Sequence, residues 1–392
     1  LVLLLETHEH VHFSPVSYTR FVWDITLGVM TPFERAKREF GDVRCWSPRF
    51  RDEVYALLGY EFTWKGEEIF LVLNSQFVYP VGFSFEKGLG ITPAGQWVYL
   101  VTDRLSEEEL VALEGQNVNW LAQRFPTREV TEGVYYRDVA DLVNQLEKSI
   151  QLFEPYFAES SEYTSPQEGV YIHKTARIDP YVVWHAEEGM IVVERDARVR
   201  AFSIIDGPSY IGESSLVDSG RLREGTVIRS HCKIGGEVEW SVVESYSNKH
   251  HEGFLGHSYV GSWVNIGAMA TTSDLKNNYR PITLQRREGK LDTRTNKFGS
   301  LIGDFVKIGI GVMINTGTVI EPGANIFLEK GQVQPPKYVP AFAWGSEATY
   351  EWEKFWRDLT TMMRRRKVSP SQGYASFLQA LYQRLVQAEG IL

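Results

Sequence analysis

The chain has 392 residues, 43% hydrophobic, 23% charged and 13% aromatic, with a net charge of −9 and two cysteines. That length suits two or three domains with real cores, and the aromatic content excludes a disordered chain. The acidic balance argues against a nucleic-acid or anionic-membrane surface, while Cys45 and Cys232 offer neither a disulfide framework nor a thiolate zinc cluster and read as reduced thiols in a cytoplasmic protein.

Leu1–Leu5 reads as a buried strand, too short before Glu6 for a signal h-region or a transmembrane span. Pro32–Phe40 reads as a helix, with Thr31 as N-cap and Pro32 at its first position. Ile69–Leu73 and Trp97–Val101 are strands by composition, Ser106 and Glu109 form a capping box, and Arg137–Phe153 reads as a longer amphipathic helix. The alternation predicts an α/β domain over 1–158 with a mostly parallel sheet, followed by a polar linker, Glu159–Gly169.

After the linker, aliphatic residues recur every six positions: Val193, Val199, Ile205, Ile211 and Val217, then Leu222, Ile228 and Ile234 after a one-residue slip. The register returns with Ile302, Ile308, Ile314, Ile320 and Ile326. A period of six fits neither a helix nor one long strand. It predicts a triangular parallel β-helix over 170–330, each six-residue unit forming one flat side with the aliphatic pointing inward. The insertion between Thr272 and Ser300 is polar and basic and breaks the period. The length of this loop suggests function, and it reads as too long to pack on its own coil. Two helices, Glu347–Lys367 and Ser371–Glu389, complete a C-terminal extension over 331–392 and are expected to cover the open end of the coil. Arg364–Lys367 reads as a cationic helix C-terminus rather than a nucleic-acid site.

The motif-dense part of the coil carries Gly235–Val238 (GGEV), Tyr246–Lys249 (YSNK), His251, Gly253–Gly256 (GFLG), Leu275–Tyr279 (LKNNY), Asn315–Val319 (NTGTV), Ala324–Phe327 (ANIF) and Phe342–Gly345 (FAWG). These resemble the bacterial bifunctional enzymes that pair a sugar-1-phosphate uridylyltransferase with a glucosamine-1-phosphate acetyltransferase. They resemble more closely the shorter sugar nucleotidyltransferase-like relatives of those enzymes. The resemblance spans roughly 205–345, with a looser match at Ser14–Arg20 and Gly28–Arg35. It implies a left-handed coil, a homotrimer with active sites between neighbouring coils, acetyl-CoA as acyl donor, and a sugar phosphate or nucleotide sugar as acceptor.

Spacing in the resemblance puts the base that deprotonates the attacking amine at His251, with His250 next and His257 third; an imidazole suits that task near neutral pH. Asn277, Asn278 and Tyr279 fall in the family's sugar-holding segment, although an Asn-Asn pair also supplies turns. Arg221, Arg223 and Lys249 are candidate phosphate or substrate contacts. Two departures matter: Glu239 stands where the family has a lysine, and Ile310 where it has a serine that contacts acetyl-CoA.

The first domain departs further. No glycine follows the first strand (Glu6–Phe13, ETHEHVHF), where a pyrophosphorylase cradles its triphosphate, and Leu71–Gln76 (LVLNSQ) lacks the magnesium-binding aspartate. Arg20 and Asn74 remain as candidate contacts there. His8, His10 and His12 would share one face of a strand, a geometry equally suited to a solvated surface, and no metal site is assigned. Three readings stand: a transferase acting through the coil, a sugar-1-phosphate nucleotidyltransferase using Mg²⁺ and a nucleoside triphosphate, and a non-catalytic trimeric sugar-nucleotide binder.

Overall fold

The computed structural model describes residues 1–60 and 71–387. Val2–Leu5 lies inside a six-stranded sheet of order Val43–Trp46, Val2–Leu5, Leu71–Asn74, Trp97–Val101, Gly88–Ile91 and Thr127–Glu129. Of the expected strand Ile69–Leu73, the first two residues lie outside the described residues. The sheet is mostly parallel, as expected: five strands run one way, and Trp97–Val101 alone runs antiparallel to both its neighbours. The five residues Thr92–Gln96 form a turn too short for a parallel crossover, so the strands on either side must pair as a hairpin. The capping boxes at Thr31/Glu34 and Ser106/Glu109 are both formed.

Arg137–Phe153 is not one helix. It breaks into Asp141–Asn144 and Leu146–Gln151, and Glu154–Ala158 follows. Val139, Ala140, Asp141, Leu142 and Val143 are all buried, so this segment is enclosed on every side and bends between two surfaces. An amphipathic helix buries a single stripe.

From Val170 the chain winds into a left-handed parallel β-helix. Two of its faces are ten-stranded sheets; the third has five strands and a further pair, Thr271–Thr272 with Met313–Ile314. The inward aliphatics are all buried, from Val193 through Ile234 and from Ile302 through Ile326. Corner residues include non-glycines in left-handed backbone, such as Tyr246 (φ 67) and Trp263 (φ 59), whose rings stack 4.2 Å apart. Parallel strands continue past residue 330, through Tyr338–Val339 and Ala343–Trp344.

One end strand at each end of the coil is paired by an antiparallel strand, and the C-terminal helices pack beside the last turn through Phe355 and Tyr382 on Phe342. Tyr163–Thr164, within the expected linker, pairs with Ile172–His173, and Ala348–Thr349 pairs with Ala343–Trp344. The C-terminal helices, Trp352–Arg365 and Gln372–Gln387, pack in the seam between coil and sheet; the expected end at Glu389 lies outside the described residues. Phe355 of the first helix packs on the coil's Phe305 and Phe342, and Phe377 of the second on Tyr55, within one cluster that also holds Trp263, Phe21 and Trp23. That aromatic corner is where an aromatic helix stripe removes most apolar area from water.

One coil face is buried on both sides. Tyr210, Val227, Val242, Tyr259, Leu301 and Val319 point outward from it into a core shared with Phe13, Val16, Val143 and Phe153. Its strands, IVV, TVI, SLI and TVI, are accordingly apolar at nearly every position, the pattern of a doubly covered sheet.

The insertion also packs on its own chain, contrary to the expectation of a loop free to reach a neighbour. Thr283–Arg286 and Gly289–Asp292 form a hairpin whose Ile282 and Leu284, with Phe298, join that shared core. Arg294 donates to Asp138 (2.7 and 3.0 Å) and to Asp141 (2.8 Å), and Arg286 donates to the Ser14 carbonyl (3.3 Å). The basic residues that suggested a free loop are the clamps that hold it down. Removing a charged hydrogen-bonding partner costs about 1.5–3 kcal/mol, so Arg294→Ala should lower urea-unfolding stability by about that amount. A change within experimental error would show that the hairpin does not tie the two parts together.

Candidate active site

The corner after strand Asn248–Lys249 presents His250 and His251, with ring centroids 5.1 Å apart. His250 Nε2 lies 2.8 Å from Asp218 Oδ2, and Arg200 Nη1 donates to the same oxygen at 2.9 Å. Burial would raise the Asp218 carboxyl, but the bonds from His250 and Arg200 win and hold it below the usual carboxylate range. The His251 ring is exposed and makes no hydrogen bond or ion pair among the described residues. It is the one member of the trio whose ring is free at both nitrogens.

His257 is placed differently. Its ring is buried, stacks on Trp240 at 5.6 Å and 4°, and brings Nδ1 to 2.7 Å from Asp274 Oδ2. Glu239 lies alongside and accepts from Lys297 Nζ at 2.8 Å. Glu239, His257 and Asp274 bring possible ligand atoms within 4.8 Å of one another. The Lys297 ammonium and the His257–Asp274 bond already occupy those groups, which makes the cluster an ion network.

Lys249 is not at the surface. Its strand partner is Ile234, so it occupies a position in the inward aliphatic ladder, and it is 2% exposed. The amine donates to the carbonyls of Gly235 (2.9 Å) and His251 (2.8 Å). Lys249 therefore contacts no surface ligand; it holds the backbone of the histidine corner. Burial pushes its ammonium down to about 8 from 10.5. Between those two values the unfolded chain holds a proton that the folded chain has shed, so stability rises with pH through that window. Below it the native state carries a charge that burial disfavours. Lys249→Met should therefore compare best with the parent at pH 7, where only the parent carries the buried charge. The comparison should worsen for the variant at high pH; urea unfolding at both pH values checks this, and a constant difference would refute the assignment.

The remaining candidates are spread over the molecule. Asn277, Asn278 and Tyr279 are exposed on the turn that opens the insertion, Tyr279 in left-handed backbone (φ 57), and no hydrogen bond or ion pair among the described residues joins them to His251. Arg221 and Arg223 stand on the third face of the coil. Arg223 Nε is 3.1 Å from Asp206 and Nη1 3.6 Å from Glu237, while Arg221 is 3.9 Å from Glu237. Such exposed pairs are weak and exchange readily. Ile310 is 80% exposed.

In the first part of the chain the candidate contacts are consumed by structure. Arg20 is pinned in the seam with the coil, donating to Asp304 and to Ser262 Oγ (3.0 Å), with Glu244 3.4 Å away. Asn74 is buried, donating to the Trp97 carbonyl (2.9 Å) and accepting from Gln76 N (3.0 Å). Neither faces an open phosphate site. After the first strand, Glu6 is fully buried and accepts from Arg49 Nε (2.9 Å), Val22 N (2.7 Å) and Ser47 Oγ. His8–Phe13 is a 3₁₀ helix capped by Thr7, not a strand, so His8, His10 and His12 do not share a face. His8 lies 3.8 Å from Glu114, and His10 bonds the Thr7 carbonyl at 3.0 Å.

Sequence reasoning missed Asp218 and Asp274, the carboxylates that orient two of the histidines. Arg200 and Asp218 are one coil turn apart, so that pair was available from the period alone. Both thiols are raised to about 12, chiefly by burial, and are inert at neutral pH. Among the described residues no helix is long and apolar enough to cross a membrane.

No family model matches the chain. The uncharacterized acetyltransferase YaiX of Escherichia coli O6:K15:H31 is 28% identical over 156 residues, 39% of this chain and 68% of its own length. The bifunctional protein GlmU of Jannaschia sp. is 31% identical over 38% of this chain and 32% of its own length. A bifunctional sugar-1-phosphate nucleotidylyltransferase/acetyltransferase of Sulfurisphaera tokodaii is 30% identical over 36% of each chain. The matched region thus covers about a third of the bifunctional relatives' length. The chain is thus similar to proteins named as acetyltransferases and as bifunctional nucleotidylyltransferase/acetyltransferases.

Proposed function

We propose that the protein transfers an acetyl group from acetyl-CoA to the amine of an amino-sugar phosphate or nucleotide sugar, at the corner formed by His250 and His251. The observation that carries this reading is the exposed, unpartnered His251 ring on a turn whose carbonyl Lys249 fixes from inside the coil. His251 takes a proton from the substrate amine, whose nitrogen attacks the thioester carbonyl. The C–S bond then breaks, and the thiolate leaves and is protonated to coenzyme A. Backbone N–H groups of the coil are the donors available to the transient oxyanion. Asn277, Asn278 and Tyr279 would contact the sugar from the exposed turn, and Arg221 and Arg223 a phosphate, by exchanging their weak surface partners.

The first part of the chain is not the reacting centre in this reading. A triphosphate would meet the buried Glu6 carboxylate where other nucleotidyltransferases offer glycine, and the consumed amide of Asn74 does not fit a magnesium ligand.

The assembly we propose is a cytoplasmic homotrimer of closed symmetry. Exposed Tyr181, Phe202, Met269 and Ile310 supply apolar surface for it. The insertion does not bridge subunits in this arrangement, since it is fastened to its own chain. Thiol release from acetyl-CoA, measured against glucosamine phosphates and nucleotide amino sugars, tests the activity. Absence of release with every acceptor would remove the catalytic reading and leave the sugar-nucleotide binder. A monomer by light scattering would remove the trimer.

A further inference from the structure

Between helix Trp352–Arg365 and the coil lies a cleft of about 640 Å³, large enough for a phosphorylated metabolite. Its floor is a ladder of outward side chains on successive strands: Lys233, Asn248, Asn265 and Lys307. Three strand spacings put the two lysines roughly 14 Å apart. The opposite wall brings Arg365 and Arg366 from the helix C-terminus. Arg366 donates to Asn248 Oδ1 at 2.7 Å and so spans the cleft.

The charges here do not balance. None of the four cations has a carboxylate within ion-pair distance among the described residues. The one acidic lining residue, Asp358, is engaged by the Tyr350 hydroxyl and by Arg357 at 3.3 Å. Lys307 Nζ is enclosed with no hydrogen-bond partner, 5.1 Å from the Tyr350 ring centroid and 5.8 Å from that of Phe355. An enclosed ammonium without an acceptor is costly. Elsewhere in this molecule buried cations have acceptors: Arg20 has Asp304, Arg49 has Glu6, Arg229 has Glu34, and Lys249 has two carbonyls. Burial lowers the Lys307 ammonium, and only Asp358 opposes that.

We infer that the cleft binds an organic phosphate bearing at least two phosphoryl groups, whose oxygens accept from Lys233 and Arg365 and lie in the uncompensated field of the enclosed Lys307 ammonium, while the asparagines contact its uncharged part. Nucleotide sugars and coenzyme A share this chemistry. The identity of the ligand rests on the transferase reading; the existence of the site does not. Asn248 is three residues from His251, so a ligand held here lies within about 10 Å of backbone from the histidine corner.

Titration calorimetry with pyrophosphate, UDP and coenzyme A tests the site on the full chain. Pyrophosphate and at least one of the organic diphosphates should bind, and Lys233→Gln/Arg365→Gln should weaken that binding tenfold or more. Neither side chain has a structural partner, so the melting temperature should not move. UDP binding points to a nucleotide-sugar acceptor, and coenzyme A binding to the acyl donor. Lys307→Met, which removes a charge behind the cleft wall rather than a contact, should weaken binding less than the double variant. His251→Ala should leave it unchanged while removing transfer, so the two readings fail separately. Failure of all three probes to bind at millimolar concentration, or equal binding by the double variant, overturns the inference; binding of pyrophosphate alone overturns its organic part.

Discussion

His251→Ala should lower acyl transfer by 10²–10⁴-fold, the usual contribution of a positioned general base. The variant should fold as the parent does. The ring makes no bond that would be lost, and a surface substitution of that kind changes stability by about 0.5 kcal/mol or less. The His251 carbonyl, to which Lys249 donates, survives in alanine, so the corner should keep its shape. Acceptor KM should hold while kcat falls, since the base acts on a proton in flight. His250→Ala is the informative control. Its ring is oriented by Asp218 at 2.8 Å, as a base usually is, and its loss leaves that carboxylate to Arg200 alone. A collapse of kcat in His250→Ala together with an active His251→Ala would transfer the role to the Asp218-oriented imidazole. Loss of activity in His257→Ala alone would move the site to the Trp240 stack.

What the sequence made legible was what repeats or acts locally. The inward ladder was readable because each aliphatic reports the same event, burial in the prism, every six residues. Helix starts at Thr31 and Ser106 were readable because a capping box closes within three residues. Lys249 was not readable as an inward residue for a metric reason. Successive strands on that face are 18, 17, 15 and 17 residues apart, and the shortest step brings Lys249 beneath Ile234 three positions earlier than a period of eighteen allows. Arg20 and Asp304 are 284 residues apart, and nothing near either announces the other. The insertion held a clue in its alternation: Leu284 and Arg286 are buried while Thr283 and Gln285 are exposed. A buried arginine is invisible to any reading that equates charge with solvent. His8–His12 failed as a strand because period-two spacing of polar residues carries no burial information, whereas the Thr7 cap, which accepts from Glu9 N at 3.2 Å, does.

Ile314→Asp should destabilise the coil by ~3–5 kcal/mol, a large part of the stability of an ordinary domain. Ile314 is 2% exposed, and its strand pairs Met313–Ile314 with Thr271–Thr272, at the rung from which the insertion departs. Lys249 shows why the ladder tolerates one charge and would not tolerate this one. A lysine has four methylenes with which to cross the prism, and it delivers an ammonium to two corner carbonyls. Aspartate has one methylene, and the groups lining a coil corner that suited Lys249 are acceptors. A carboxylate there would meet like polarity with no donor in reach, or would take a proton and remain an unsatisfied polar group. Ile314→Lys should therefore be the milder substitution, by virtue of reach and sign, although both remove the same aliphatic contact. Urea unfolding of the two variants decides the matter. An Ile314→Asp variant within about 1 kcal/mol of the parent would mean that Ile314 does not face the prism. Equal losses for Asp and Lys would mean that volume, rather than the polarity of the corner, sets what the ladder accepts.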